Sequence, residues 1–325
     1  MGLRRALAAD LAALAVLLTR VAPLRRSARA GALLVASVAA GAAAAHPLAA
    51  GEPAASLPGA SFEPWVIACL LASALFYTLG LVRLWRRAGT GRGVHRRRAL
   101  AFAAGWLAAG AALVSPLDAL GNRLFSAHMV QHEVLMIIAA PLFVLGRPLG
   151  VWAWAMPPGW RRAVGGFFHR PGWRQPWLVV TAPLAAWMVH AVVLWLWHLP
   201  ALFEAALASS AVHATQHISF LLAALLYWWS VAGIGLAGRQ RGAAMLSLFT
   251  TMIHTGALGA LLTLSPVPWY PAYSGRTLIF GIDPLEDQQL GGLVMWIPAG
   301  LAYVACGLAT AAHWLRRPPP LARAR

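Results

Sequence analysis

The pentapeptide His-x-x-Gln-His occurs twice, as His128-Met129-Val130-Gln131-His132 and as His213-Ala214-Thr215-Gln216-His217, each opening a stretch of apolar residues. Residues four apart share one face of a helix, with Cβ atoms about 6 Å apart, so both imidazoles of a pair can point at one ion. Imidazole suits zinc, copper, iron and nickel, whereas magnesium and calcium ask for oxygen ligands. An ionisable side chain within a membrane span is costly and is read as functional unless a partner accounts for it.

Other residues extend or compete with this chemistry. Met129 and Met252 lie near the histidines and offer thioethers, which favour Cu(I), although methionine in an apolar helix is more often packing. Glu133 is the one carboxylate inside a span, a candidate ligand, proton carrier or histidine partner. Gln131 and Gln216 turn to a different face from the histidines beside them and are candidates to bond a neighbouring helix or to orient a ligand. Asp118 and Asp287 lie in predicted external loops, where they could attract cations or simply form turns and caps. The two cysteines, Cys69 and Cys306, stand far apart in apolar segments, so no thiolate site is expected.

The elements that must position these groups are membrane helices. Of 325 residues 60% are hydrophobic and 11% charged, too little polar surface to cover a soluble globule of this size. The net charge of +17 is carried by arginines in short runs between apolar segments, the pattern of membrane topology and not of nucleic-acid binding. Residues 1–60 read as a basic, signal-like segment or an extra helix, and residues 317–325 as a cytoplasmic tail. Between them, residues 61–316 read as a seven-helix transmembrane domain. The spans fall at about 64–85, 97–115, 126–147, 177–198, 211–233, 243–265 and 290–315, each near the roughly 20 residues that cross a bilayer core. Backbone groups in lipid must be satisfied within the segment, so the fold class is all-α, a polytopic membrane helix bundle.

Arginine-rich connections stay in the cytoplasm. Those after spans one, three and five, and the tail, are the arginine-rich ones; the alternate connections collect Asp118, Glu204, Asp283, Glu286 and Asp287. This alternation predicts a cytoplasmic C-terminus. It also puts His128, His132, His213, His217 and His198 within two turns of the external surface, with His254 and His190 deeper. His190, taken alone, reads as an interhelical hydrogen-bonding residue. His95, His169 and His313 fall at or beyond the inner boundary and read as ordinary polar residues.

The chain resembles the CtaG family of seven-helix cytochrome c oxidase assembly factors. The resemblance is carried by Ser115-Pro116-Leu117-Asp118, by His128-Met-Val-Gln-His132 with Ala140-Pro141-Leu142 and Gly146-Arg147-Pro148, by Trp197-His198-Leu199-Pro200 and by His213-x-x-x-His217. Asp287-Gln288-Gln289 with Gly291-Gly292 and Met295-Trp296 completes it. It runs from span one to span seven and does not cover the first 60 residues. It implies a multi-pass protein of the bacterial cell membrane that helps to produce active haem-copper oxidase, a role commonly linked to copper supply, with oxidase subunits as partners. It is distinct from the single-span copper chaperones that share the name.

Three functions are therefore expected in order. The first is a non-enzymatic assembly factor that holds copper through His128, His132, His213, His217, His254 and His198 and passes it to the oxidase, with zinc as another possible ion. The second is a haem-binding electron carrier or haem-handling factor, with an axial histidine from each of two helices. The third is a di-metal oxygenase of the desaturase type, whose His-x-x-x-His boxes would cluster on the cytoplasmic side.

Overall fold

A computed structural model of the protein describes residues 63–232 and 238–315. The N-terminal signal-like segment and the tail expected from sequence lie outside the described residues. Among those described there are helices and no strands, as the apolar runs require.

Span one is α1, Pro64–Ala88. Span two is α2, Arg96–Leu113, followed by a short helix α3, Pro116–Gly121, that lies across the histidine end of the bundle. Span three is a composite: α4, Phe125–Glu133, a π-helical segment Val134–Ala139, and α5, Ala140–Gly146. Pro141 has no N–H to donate to the carbonyl four residues earlier and its ring crowds that carbonyl, so the regular ladder is broken one turn upstream. Within the widened turn the Met136 carbonyl instead accepts from the indole Nε1 of Trp228, at 2.8 Å.

Helices α6, Pro148–Ala155, and α7, Pro158–His169, follow. The expected continuous span at 177–198 is corrected: it is a broken pair, α8, Pro171–Val180, and α9, Pro183–Trp197, bent by 65°. Pro183 is the cause, since proline disfavours helical backbone at the residue before it. Next come α10, Pro200–Ala208, and span five, α11, Ser210–Val231. Span six is α12, Gly238–Leu264, and span seven α13, Pro284–Leu315.

Four helical stretches are long and apolar enough to cross a membrane, Pro64–Ala88, Phe125–Gly146, Gly242–Leu264 and Pro284–Ala312, and the bent pair would make a fifth. The expected count of seven is thus not established. α2 opens on Arg96-Arg97-Arg98, which shortens its apolar part, and α11 carries His213, Thr215, Gln216 and His217 in its first two turns. The large side chains left outside, among them Leu100, Leu184, Leu222, Leu246, Leu261, Leu301 and Leu308, form an apolar periphery that suits a lipid environment and not water.

Small residues set the closest approach. A Cβ on Gly259 of α12 would stand 2.8 Å from the Gly292 carbonyl oxygen of α13, so these two helices touch through their backbones. A Cβ on Gly291 would overlap the Phe125 ring, which seats α4 directly on α13. The main core gathers around Phe125, Met129, Met136, Phe203, Phe220, Tyr227, Trp228 and Tyr303, between α4, α9, α11, α12 and α13. A second cluster, with Tyr77 stacked on Phe102 at 3.6 Å, fastens α1 to α2 and α6.

Candidate metal centre

On α4, at 100° per residue, three jobs fall to three adjoining faces. Phe125 and Met129 turn to α13 and are fully packed, with Met129 against Gly291. Gln131 turns to α2 and α3, donating from Nε2 to the Ala112 carbonyl at 2.8 Å and to Asp118 Oδ1 at 2.6 Å. His128 and His132 occupy the face between, buried and turned towards α11.

On α11, His213 and His217 present the matching face. Ring centres of His213 and His217 are 4.2 Å apart, those of His128 and His213 5.3 Å, and those of His128 and His217 5.9 Å. One ring nitrogen from each of the three lies within 4.8 Å of the others. His132 completes a second tier, 4.4 Å from His128 and 5.3 Å from His217 between ring centres. His198, at the end of α9, stands 6.5 Å from His132.

Hydrogen bonds set which nitrogen is left to coordinate. His128 Nδ1 lies 3.4 Å from the Gly121 carbonyl and His198 Nδ1 lies 2.7 Å from the Leu194 carbonyl, contacts a ring makes by donating an N–H. The Nε2 atom of each is then the unprotonated lone pair, the arrangement that orients metal-ligating imidazoles. Six ring nitrogens of these five histidines are buried with no hydrogen-bond partner: Nε2 of His128, His198, His213 and His217, and both of His132. Leaving a buried polar atom unsatisfied costs about 1–3 kcal/mol each, so so dense a group calls for a shared ligand. With metal–nitrogen bonds of about 2.0–2.1 Å and roughly 1.1 Å from nitrogen to ring centre, tetrahedral ligation places ring centres about 5.1 Å apart. The 4.2–5.9 Å spacings of the triad bracket that value.

The site is roofed by aromatic side chains that sequence reasoning did not single out. Phe203 of α10 packs 5.0 Å from His128, and Phe220 of α11 packs 4.5 Å from His132. Tyr270 stacks on Phe125 and packs at a tilt against Phe203, and its hydroxyl donates to the His198 carbonyl at 2.9 Å. The Tyr273 hydroxyl donates to the Gly121 carbonyl at 2.8 Å, the same oxygen that faces His128. Burial pushes both phenols above their ordinary range, so both stay hydrogen-bond donors; for Tyr273 the Asp287 carboxylate adds to the rise. The available signal was the Pro266-Val267-Pro268-Trp269-Tyr270-Pro271 run, whose prolines and aromatics mark a loop that packs and does not wave in solvent.

Three expected positions are placed differently. His254 is not among the converging rings: its ring neighbours are Trp187 at 5.7 Å and His190 at 6.2 Å, because α12 passes α9 below the level of the pairs. Asp287, expected at an external mouth, is fully buried and caps α4, accepting from the Phe125 N–H at 2.5 Å, the Ser126 N–H at 3.2 Å and the Ser126 hydroxyl. Met129 packs on α13 instead of joining the rings. Glu133 lies on the far side of α4 from His128, with Oε2 buried and without a partner. Gln216 is fully buried.

A cavity of about 760 Å³ opens beside the triad, between α1, α2, α5, α6 and α11. His213, His217, Asp118 and Glu63 line one end and Trp177 and Trp229 the other, with apolar side chains between. Two of the three triad histidines can therefore be reached from the side of the bundle.

An uncharacterized protein of Mycobacterium bovis is 28% identical over 273 residues, 79% of this chain, and one of Mycobacterium leprae is 27% identical over 272 residues, again 79% of this chain. The chain spans only 39% of the length of these relatives. No solved structure matches it. The profile described as cytochrome c oxidase caa3 assembly factor matches residues 75–317, which takes in both histidine pairs, the Asp287 clamp and every helix from α2 onward. The chain belongs to the family of cytochrome c oxidase caa3 assembly factors.

Proposed function

We propose that this protein assists assembly of the oxidase by holding one copper ion on His128, His213 and His217, with His132 and His198 as the ligands to which the ion can shift, and by passing it to an oxidase subunit. The observation that carries this reading is the convergence of three ring nitrogens from α4 and α11 within 4.8 Å of one another. Neutral imidazoles bind soft and borderline ions, and a nitrogen-only site without a carboxylate in the triad suits Cu(I) or Cu(II) better than a hard cation. Five imidazoles at graded distances let an incoming ligand displace one without stripping the ion bare, the property a donor needs and a permanent structural site does not. The arginine alternation predicts an external position for this end of the bundle, where an exported copper-binding subunit would meet it.

Packing disfavours haem. A bis-histidine haem needs two rings on opposite faces of a flat macrocycle. Here neighbouring rings of the triad stand 4.2–5.9 Å apart, closer than the roughly 6.2 Å that two axial imidazoles on opposite faces of one metal require, so no macrocycle fits between them.

The test is made in cells that rely on this protein for their oxidase. Chromosomal replacement with His128→Ala, His213→Ala and His217→Ala should yield oxidase with normal haem, deficient copper and partial recovery when copper is added to the medium. Oxidase with normal copper content in that strain would contradict the proposal.

A further inference from the structure

Below the outer cluster the bundle holds a second pair of histidines. His190 lies eight residues before His198 on α9, about 12 Å deeper at 1.5 Å per residue, and is fully buried. His254 of α12 faces it, the ring centres 6.2 Å apart at an interplanar angle of 61°. His190 lies against the Tyr227 ring at 4.8 Å, and His254 meets Trp187 at 5.7 Å, edge to face. All four ring nitrogens of the pair are buried without a hydrogen-bond partner, and so is the indole nitrogen of Trp187.

A pair of histidines that merely bonded each other would sit closer. With a nitrogen-to-nitrogen hydrogen bond of about 2.9 Å and roughly 1.1 Å from nitrogen to ring centre on each side, the centres would be about 5.1 Å apart. The observed 6.2 Å leaves a gap about 1 Å wider. With metal–nitrogen bonds of about 2.0 Å, tetrahedral ligation again needs about 5.1 Å, whereas a linear N–metal–N arrangement needs about 6.2 Å. Among the described residues no carboxylate acts on either ring, and the rings pack among Tyr227 and Trp187, so a small ion of single charge is favoured over a divalent one.

We infer that His190 and His254 form a second, inner ion site, two-coordinate and selective for Cu(I) over Cu(II) and zinc. Linear coordination by two neutral nitrogens is natural to a filled-shell monovalent ion and foreign to zinc, which asks for four ligands. The site sits on the same helix as His198, so an ion leaving the outer tier meets it next on the way into the bundle. The choice of copper rests on the proposed function; the place of the site rests on α9 and α12 alone.

The experiment uses the full-length protein in detergent, titrated anaerobically with Cu(I) against a chromophoric Cu(I) chelator. Wild type should bind about two ions per chain, and the His128→Ala, His213→Ala, His217→Ala variant about one, with an X-ray absorption spectrum showing two nitrogen neighbours. Adding His254→Gln, or separately His190→Gln, to that variant should remove the remaining ion, while zinc should bind to none of the inner sites. A folded outer-site variant that binds no Cu(I), or a residual ion that survives both glutamine substitutions, overturns the inference. If wild type binds a single ion that the outer variant loses and His254→Gln keeps, the inner site fails and the proposed function stands; the reverse pattern sinks the proposed function and leaves the inner site.

Discussion

A histidine pair is easy to find in a sequence and its partners are not. The spacing of His128 with His132 and of His213 with His217 gave the shared faces, and the triad joins one pair to the first residue of the other. What spacing could not give was the azimuth of α12 relative to α9, which takes His254 out of the outer group and sets it opposite His190. Asp287 shows the same gap: position in the chain placed it in a loop, whereas its carboxylate folds back to hold the first turn of α4. Replacing it by alanine leaves two backbone N–H groups and the Ser126 hydroxyl without an acceptor in a buried place, worth about 1–3 kcal/mol. Asp287→Ala should therefore lower the thermal unfolding temperature and weaken metal binding together; unchanged unfolding and metal content would remove its positioning role. Tyr273→Phe, which deletes one donor to the Gly121 carbonyl behind His128, should cost about 1 kcal/mol of stability and loosen metal affinity without abolishing it, as read by competition with a chelator.

Elements were legible where the pattern was long and apolar, and illegible where proline intervened. Pro141 lies within span three and Pro183 within span four, yet only the second breaks the helix into a bent pair. The difference is that the Met136 carbonyl, in the π turn before Pro141, finds the Trp228 indole, so the chain can continue without an unsatisfied group. Glycines decide how near the elements come. Gly291 is the seat of Phe125, and Gly291→Leu should push α4 away from α13, at the 1–3 kcal/mol typical of overpacking, or about that, and carry His128 and His132 out of register with α11. Gly110→Leu on α2, where an added Cβ meets nothing within 4 Å, is the control. Metal binding reduced by about one ion per chain in the first and unchanged in the second is the expected outcome; equal binding in both would separate the site from this helix contact.

At the scale of the whole molecule, composition was enough to read a membrane bundle, and the apolar periphery agrees with it. The number of spans was not readable in the same way, because α2 and α11 trade apolar length for arginines and for the histidine pair itself. Function-bearing residues dilute the signal by which a span is recognised. Orientation remains an expectation from the arginine-rich connections, and it is testable with Cys69 and Cys306 replaced by alanine. A membrane-impermeant maleimide added to intact spheroplasts should label Ser209→Cys, at the histidine end, and not Thr90→Cys, in the connection after α1. Labelling of Thr90→Cys alone would turn the site to the cytoplasm and end the case for delivery on the external face. The central claim is that imidazoles of α4 and α11 grip one ion, and it is tested most directly by metal analysis of the full-length protein purified from copper-replete cells. About one copper ion per chain fewer in an equally folded His128→Ala, His213→Ala, His217→Ala variant than in the wild type is what the account predicts; the same metal content in both would contradict it.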